Sequence, residues 1–170
     1  FPRTAIIDAQ HNSRGIWIYG SNATVNGFVI KNGEAITVGG GIYMLTPSTV
    51  SNCLVVSNNS SDAGGGIYIQ GSGSRVQNCE VSYNFSDQTG GGISFATQTT
   101  SLVAHCTIHH NISPGRGGGV SINQASIVSN CWIADNFVNG DGGGVSMVNG
   151  GVLANSIVIG NHADQGGGGV

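Results

Sequence analysis

The sequence predicts an all-β chain wound as a parallel-stranded solenoid of about six coils, each of 25–27 residues with three short strands. Three columns of recurring residues carry this reading. Glycine-led starts follow one another as Gly15-Ile16-Trp17-Ile18, Gly41-Ile42-Tyr43-Met44, Gly66-Ile67-Tyr68-Ile69, Gly92-Ile93-Ser94-Phe95, Gly119-Val120-Ser121-Ile122 and Gly144-Val145-Ser146-Met147, with another opening at Gly169. The steps between leading glycines are 26, 25, 26, 27, 25 and 25 residues. A second column reads Asn32, Asn58, Asn84, Asn111, Asn136 and Asn161. A third reads Gly27, Cys53, Cys79, Cys106, Cys131 and Ser156, always five residues ahead of the second. Each asparagine precedes the next leading glycine by eight residues, except for nine between Asn32 and Gly41. Nearly all length variation falls between the glycine start and the cysteine-like position, as one tolerant loop on a fixed core would give.

The elements follow in order along one coil. In Ile67-Tyr68-Ile69 the first and third residues are apolar, while the second varies through Trp17, Tyr43, Tyr68, Ser94, Ser121 and Ser146. That alternation is a half-buried strand with the variable residue outside. A second strand points Val50, Val76, Val103, Val128 and Leu153 inward. Around Cys79-Glu80-Val81-Ser82 a third turns Cys79 and Val81 in, and Glu80 and Ser82 out. Coils stacked at about 4.8 Å make a rod roughly 30 Å long. A leucine-rich repeat would need Leu-x-x-Leu-x-Leu, and a propeller blade a period of 40 residues or more; neither pattern is present. Parallel connections are right-handed as a rule, and that handedness is expected here.

Composition narrows the classes further. The 30 glycines have no period of three, which excludes a collagen-like chain. Five basic and eight acidic residues, net charge -3, offer no grip on a phosphate backbone, so nucleic acid is not an expected partner. No apolar run is long enough for a transmembrane helix. Phe1-Pro2-Arg3-Thr4 lacks the charged start and apolar core of a signal peptide. Residues 1–170 read as a single solenoid segment that stops as a new coil begins, and the expectation is a fragment of a longer repeat protein.

Each column has a structural and a chemical reading. Stacked asparagines satisfy bend amides and favour one register. Asn84-Phe85-Ser86 and Asn111-Ile112-Ser113 are glycosylation sequons, but a buried ladder amide is a poor acceptor. Cys53, Cys79, Cys106 and Cys131 share one inward slot, where parallel side chains suit neither a disulfide nor a tetrahedral zinc site; small buried hydrophobes describe them better. The glycine clusters precede strands rather than a helix, and Lys31 is the one lysine, so they mark corners and not a phosphate loop. Asp62 and Asp87, before successive glycine corners, are placed side by side, and Asp141 with Asp164 more loosely. Such pairs admit a weakly held Ca2+, beside the ordinary role of turn formation. No metal site and no other cofactor is expected.

His109 is expected outside and His110 at the bend, while Arg14, Arg75 and Arg116 lie in connecting segments. With no three of these groups converging, no catalytic residue is assigned in these coils. Trp17, Tyr43 and Tyr68 form an outward aromatic row, expected to be a flat platform for a sugar face or a partner chain. Phe28, Ile30, Leu54 and Val56, with Trp132, Ile157 and Ile159 further along, are expected as a second exposed apolar group. Cover by another domain, a neighbouring subunit or missing loops would explain it.

Gly-Gly-Gly-Ile-Tyr followed by Asn-Cys-x-Val/Ile-x-x-x-Asn resembles the right-handed parallel β-helix repeats of secreted and cell-surface bacterial exoproteins in the pectate-lyase-like superfold. Val55-Val56-Ser57-Asn58, Val81-Ser82-Tyr83-Asn84, Ile108-His109-His110-Asn111 and Ile133-Ala134-Asp135-Asn136 resemble the Phe-x-x-Asn of polymorphic outer-membrane proteins, with a β-branched residue in place of phenylalanine. Thr4-Ala5-Ile6-Ile7-Asp8-Ala9-Gln10 is similar to the early coil preceding such arrays. The resemblance implies an extracellular or bacterial cell-surface location. The leading expectation is a rod for binding or display, adhesin-like or structural, with a glycan or protein partner along an outer face. One alternative is a polysaccharide lyase or glycoside hydrolase whose site is completed by coils outside these residues. Another is a structural segment of a larger assembly, packed against further coils, domains or subunits.

Overall fold

A computed structural model describes residues 5–170; Phe1 to Thr4, including the first residue of the early-coil resemblance, lie outside the described residues. Twenty-five strands of two to four residues form four parallel sheets, and no described residue is helical. One coil shows the plan. Ile67–Ile69 lies in sheet 1, Arg75–Gln77 in sheet 2, Glu80–Ser82 in sheet 3 and Phe85–Ser86 in sheet 4. Sheets 1, 2 and 4 hold six strands each, and sheet 3 holds a seventh from Ala5–Asp8. The three expected strands are present. The fourth, only two residues long, carries too little alternation to be read from sequence alone.

Three of the four corners turn on one left-handed residue. Between sheets 2 and 3 it is Asn52, Asn78, His105, Asn130 or Asn155, and between sheets 3 and 4 it is Ser57, Tyr83, His110, Asp135 or Gly160. Between sheets 4 and 1 it is the first glycine of each triplet, such as Gly90 at φ 62°. The fourth corner is the tolerant loop.

Inside, like lies over like. Ile42, Ile67, Ile93, Val120 and Val145 form one fully buried column, and Val50, Val76, Val103 and Val128 another. The first coil is displaced by one residue from the columns read above. Pairing of Val29 with Leu54 puts Phe28 in the cysteine slot and Gly27, at φ 81°, in the left-handed corner. By the same register Gly33 fills the asparagine slot, and Asn32, at φ 55°, makes the bend. The nine-residue step from Asn32 to Gly41 was the trace of this shift.

Several residues placed outside are covered. Ser94, Ser121 and Ser146 are 3, 6 and 8% exposed, because the left-handed glycine of each triplet folds across that strand. A Cβ on Gly90 would stand 2.7 Å from the Ser94 Cβ. Ser82 is buried between Val56 and His109 in its row. Ile30, expected in an exposed group, is fully buried, and Phe28 packs against the core; the one-residue shift turns both inward.

A second polar ladder escaped the sequence reading. Ser48, Ser74, Ser101 and Ser126 each stand two residues before an inward valine and are all buried. The Ser74 N–H donates to Ser101 Oγ at 3.1 Å, and Ser126 Oγ donates to the Thr99 carbonyl at 2.8 Å. The Ser-x-Val spacing was the available signal. By contrast, the Ser60 and Ser86 hydroxyls are buried without a hydrogen-bond partner, in a column shared with Ala35. Ser86→Ala is expected to raise stability by about 1 kcal/mol, read as a higher midpoint in urea; a loss of stability would mean the hydroxyl has a partner after all.

Candidate functional site

The aromatic row lies on sheet 1, whose register stacks Trp17, Tyr43 and Tyr68 on successive coils. Trp17 and Tyr43 are parallel within 6°, centroids 6.1 Å apart. Tyr68 meets Tyr43 at 5.6 Å but is turned by 64°, so the three rings do not lie parallel. Tyr19 adds an edge to Trp17 at 6.2 Å. Tyr43 is fixed from the far side, its hydroxyl donating to Gln70 Oε1. Burial raises the pKa of both Tyr43 and Tyr68, which keeps these phenols neutral donors.

Arg14, assigned no site role from sequence, completes this face. Its guanidinium carbon lies 5.0 Å from the Tyr43 ring centroid and 5.7 Å from that of Trp17. Its Nη2 donates to the Val38 carbonyl at 2.7 Å, and its Nε to the Gly39 carbonyl at 2.9 Å. Partial burial lowers its pKa, with Tyr43 acting in the opposite direction, and an arginine remains charged all the same. Beside these rings opens a groove of about 460 Å³, lined also by Asn12, Ser13, Glu34, Ile36 and Thr37. Trp17 is 57% exposed and Ile36 91%. Apolar ring faces next to hydroxyl, amide and carboxylate groups can hold a molecule with one apolar and one polar side, as a pyranose has.

The asparagines make a continuous inner ladder. Asn58, Asn84, Asn111 and Asn136 each donate from Nδ2 to the Oδ1 of the next coil's asparagine, at 2.9–3.0 Å. The same Oδ1 accepts the backbone N–H of the preceding asparagine, and each Nδ2 also reaches a carbonyl one coil back, as Asn111 does to Val81 at 2.9 Å. Asn161 is the last acceptor of the series, and Asn32 lies outside it, donating instead to Asp8. Asn84 and Asn111 are about 1% and 0% exposed, which makes both sequons inaccessible in the fold.

Cys53, Cys79, Cys106 and Cys131 are buried thiols, and each donates to the carbonyl two residues before it at 3.1–3.2 Å. Hydrogen bonding between stacked thiols, with burial, pushes Cys53 and Cys106 up, whereas the hydrogen bond with Cys106 pulls Cys131 down. The carboxylate pairs fall out of register. Asp62 lies over Gln88 and Asp87 over Ser61, because they precede their left-handed glycines by two and three residues. Asp141 lies between Arg116 and Gly166 in its column, two positions from that of Asp164. Among the described residues, no group of three or more His, Cys, Asp or Glu side chains gathers around a common point.

One line of pairwise contacts was missed. Glu80 Oε1 lies 3.5 Å from His109 Nε2, and His109 Nδ1 lies 2.8 Å from His110 Nδ1. Tyr83 stacks on His110 at 4.9 Å and 22°, and stands edge-on to His109 at 5.8 Å. The residues are spread over two coils, and only the stacking of Ser82 on His109 brings them together.

Short parallel strands, inward ladders and left-handed corners repeated coil upon coil define a parallel β-helix. The chain belongs to the right-handed β-helix family, whose model for the right handed beta helix region matches residues 6–163. No curated protein and no solved structure matches the chain. No described helix is long and apolar enough to cross a membrane.

Proposed function

We propose that this chain is a secreted or cell-surface rod for binding or display, and that the Trp17–Tyr43 face takes a glycan. The parallel stacking of those two rings on adjacent coils is the observation that carries this reading. The polar groove beside them and the Arg14 guanidinium over the Tyr43 ring support it. Sugars present C–H faces that lie on flat rings, and their hydroxyls need the polar groups that Asn12, Ser13, Glu34 and Thr37 supply. A location outside the cell fits the sparse charge and the resemblance to surface exoproteins. Weak Ca2+ binding by the Asp62, Asp87, Asp141 and Asp164 carboxylates is a lesser part of this reading, since their register keeps each apart from its presumed partner.

A glycan array followed by titration on tryptophan fluorescence tests this. Trp17→Ala is expected to weaken binding at least about tenfold, or about 1.4 kcal/mol, without loss of stability, because the ring is largely exposed. Turnover of a uronate-containing polysaccharide, with binding untouched by Trp17→Ala, would favour the lyase or hydrolase reading instead. The exposed Trp132, Ile157 and Ile159 of sheet 3 favour the further reading of a segment packed in a larger assembly; mass measurement in solution distinguishes it.

A further inference from the structure

We infer that His109 and His110 form a two-histidine chelate for a divalent transition metal ion, with Glu80 orienting the first imidazole. The site lies on sheet 3 and its following corner, away from the aromatic face on sheet 1, and does not depend on the glycan reading.

The backbone creates the chelate. His109 ends its strand in the outer row of sheet 3, and His110 takes the left-handed corner at φ 54°. That reversal turns two consecutive side chains towards each other, whereas consecutive residues of a straight strand point to opposite faces. The Nδ1 atoms consequently stand 2.8 Å apart. Two cis ligands at about 2.0 Å in a square-planar or octahedral shell stand about 2.8 Å apart, against about 3.3 Å in a tetrahedral one. Nitrogens this close fit cis positions of a Cu2+ or Ni2+ shell, and affinity for nitrogen ligands favours Cu2+.

The surroundings set the tautomer. Glu80 Oε1, 3.5 Å from His109 Nε2, favours a proton on that nitrogen and leaves the Nδ1 lone pair for the metal. Without metal, His109 Nδ1 accepts the hydrogen bond that His110 Nδ1–H donates. On binding, that proton moves to His110 Nε2 through solvent, so both Nδ1 atoms become ligands with no change in net protonation. Tyr83, stacked on His110, limits the swing of the ring. The His109 side chain is 21% exposed and Glu80 39%, which leaves an approach from solvent and coordination positions open to water or a small ligand.

Titration with CuCl2 in a non-coordinating buffer is expected to saturate at one Cu2+ per chain. The paramagnetic resonance spectrum is expected to show coupling to two imidazole nitrogens. His109→Gln, and His110→Asn chosen because asparagine tolerates the left-handed corner, are each expected to abolish saturable binding. Glu80→Gln is expected to weaken it about tenfold, and His105→Gln to leave it unchanged. Saturable binding that survives the His109→Gln/His110→Asn pair overturns the assignment. So does a wild-type spectrum with fewer than two histidine nitrogens, a result that needs no variant to fold.

Discussion

Replacing Asn111 by alanine is expected to destabilise the protein by about 3 to 5 kcal/mol, the largest loss at any single polar side chain of the ladder. Asn111 is fully buried, and its amide works in both directions along the rod. Its Nδ2 donates to Asn136 Oδ1 at 3.0 Å, to the Val81 carbonyl at 2.9 Å and to the His109 carbonyl at 3.1 Å. Its Oδ1 accepts from the N–H and the Nδ2 of Asn84 at 3.0 and 2.9 Å. Alanine removes all five contacts at once and leaves a void too small to hydrate well. The buried Asn84 N–H loses its Asn111 Oδ1 acceptor, and an unpaired buried group costs more than a formed hydrogen bond gains. Asn161→Ala, at a half-buried end of the ladder, is expected to cost about 1 kcal/mol. Urea unfolding of both variants checks the gradient. A loss under about 1 kcal/mol for Asn111→Ala would mean that water substitutes for the ladder.

Gly91→Ala is expected to cost at least about 3 kcal/mol and to abolish folding if the host stability is of that order. Its backbone needs no positive φ, so the effect is one of space alone. A Cβ there would stand 2.4 Å from the Ile112 carbonyl oxygen and 2.6 Å from that of Gly118. Both are backbone atoms of the next coil, held by their own ladders, and neither can rotate away. Relief would require the coils to separate, which breaks the sheet 4 and glycine-corner hydrogen bonds of several residues together. Gly20→Ala is the control, with nothing within 4 Å of the added carbon and an expected change within about 0.5 kcal/mol. Soluble yield and thermal midpoint distinguish the two, and equal stability of Gly91→Ala and Gly20→Ala would contradict the close approach.

Repetition made the solenoid legible. The steps of 25–27 residues, the alternation in Ile67-Tyr68-Ile69 and the recurrence of asparagine are local facts, and a coil that buries its residues only against copies of itself leaves no other arrangement for them. The columns from Cys53 to Cys131 and Asn58 to Asn136 could be read for the same reason, as could the tolerant loop. Where the repeat slips by one, as at Gly27 and Asn32, the reading slipped with it, although the nine-residue step to Gly41 recorded the shift. The serine ladder was equally visible in Ser74-x-Val76 and its copies, hidden only because serine is common in loops.

Sequence by itself determined the period, the inward set and the parallel stacking, since each depends on the spacing of side chains along one chain. Tertiary structure decided what the outer surface offers. The glycine corners fold over Ser94, Ser121 and Ser146, Arg14 settles against Tyr43 across a coil boundary, and Glu80 meets His109 from the neighbouring coil. Those contacts depend on offsets and torsions between coils, where a shift of one position changes which side chains meet.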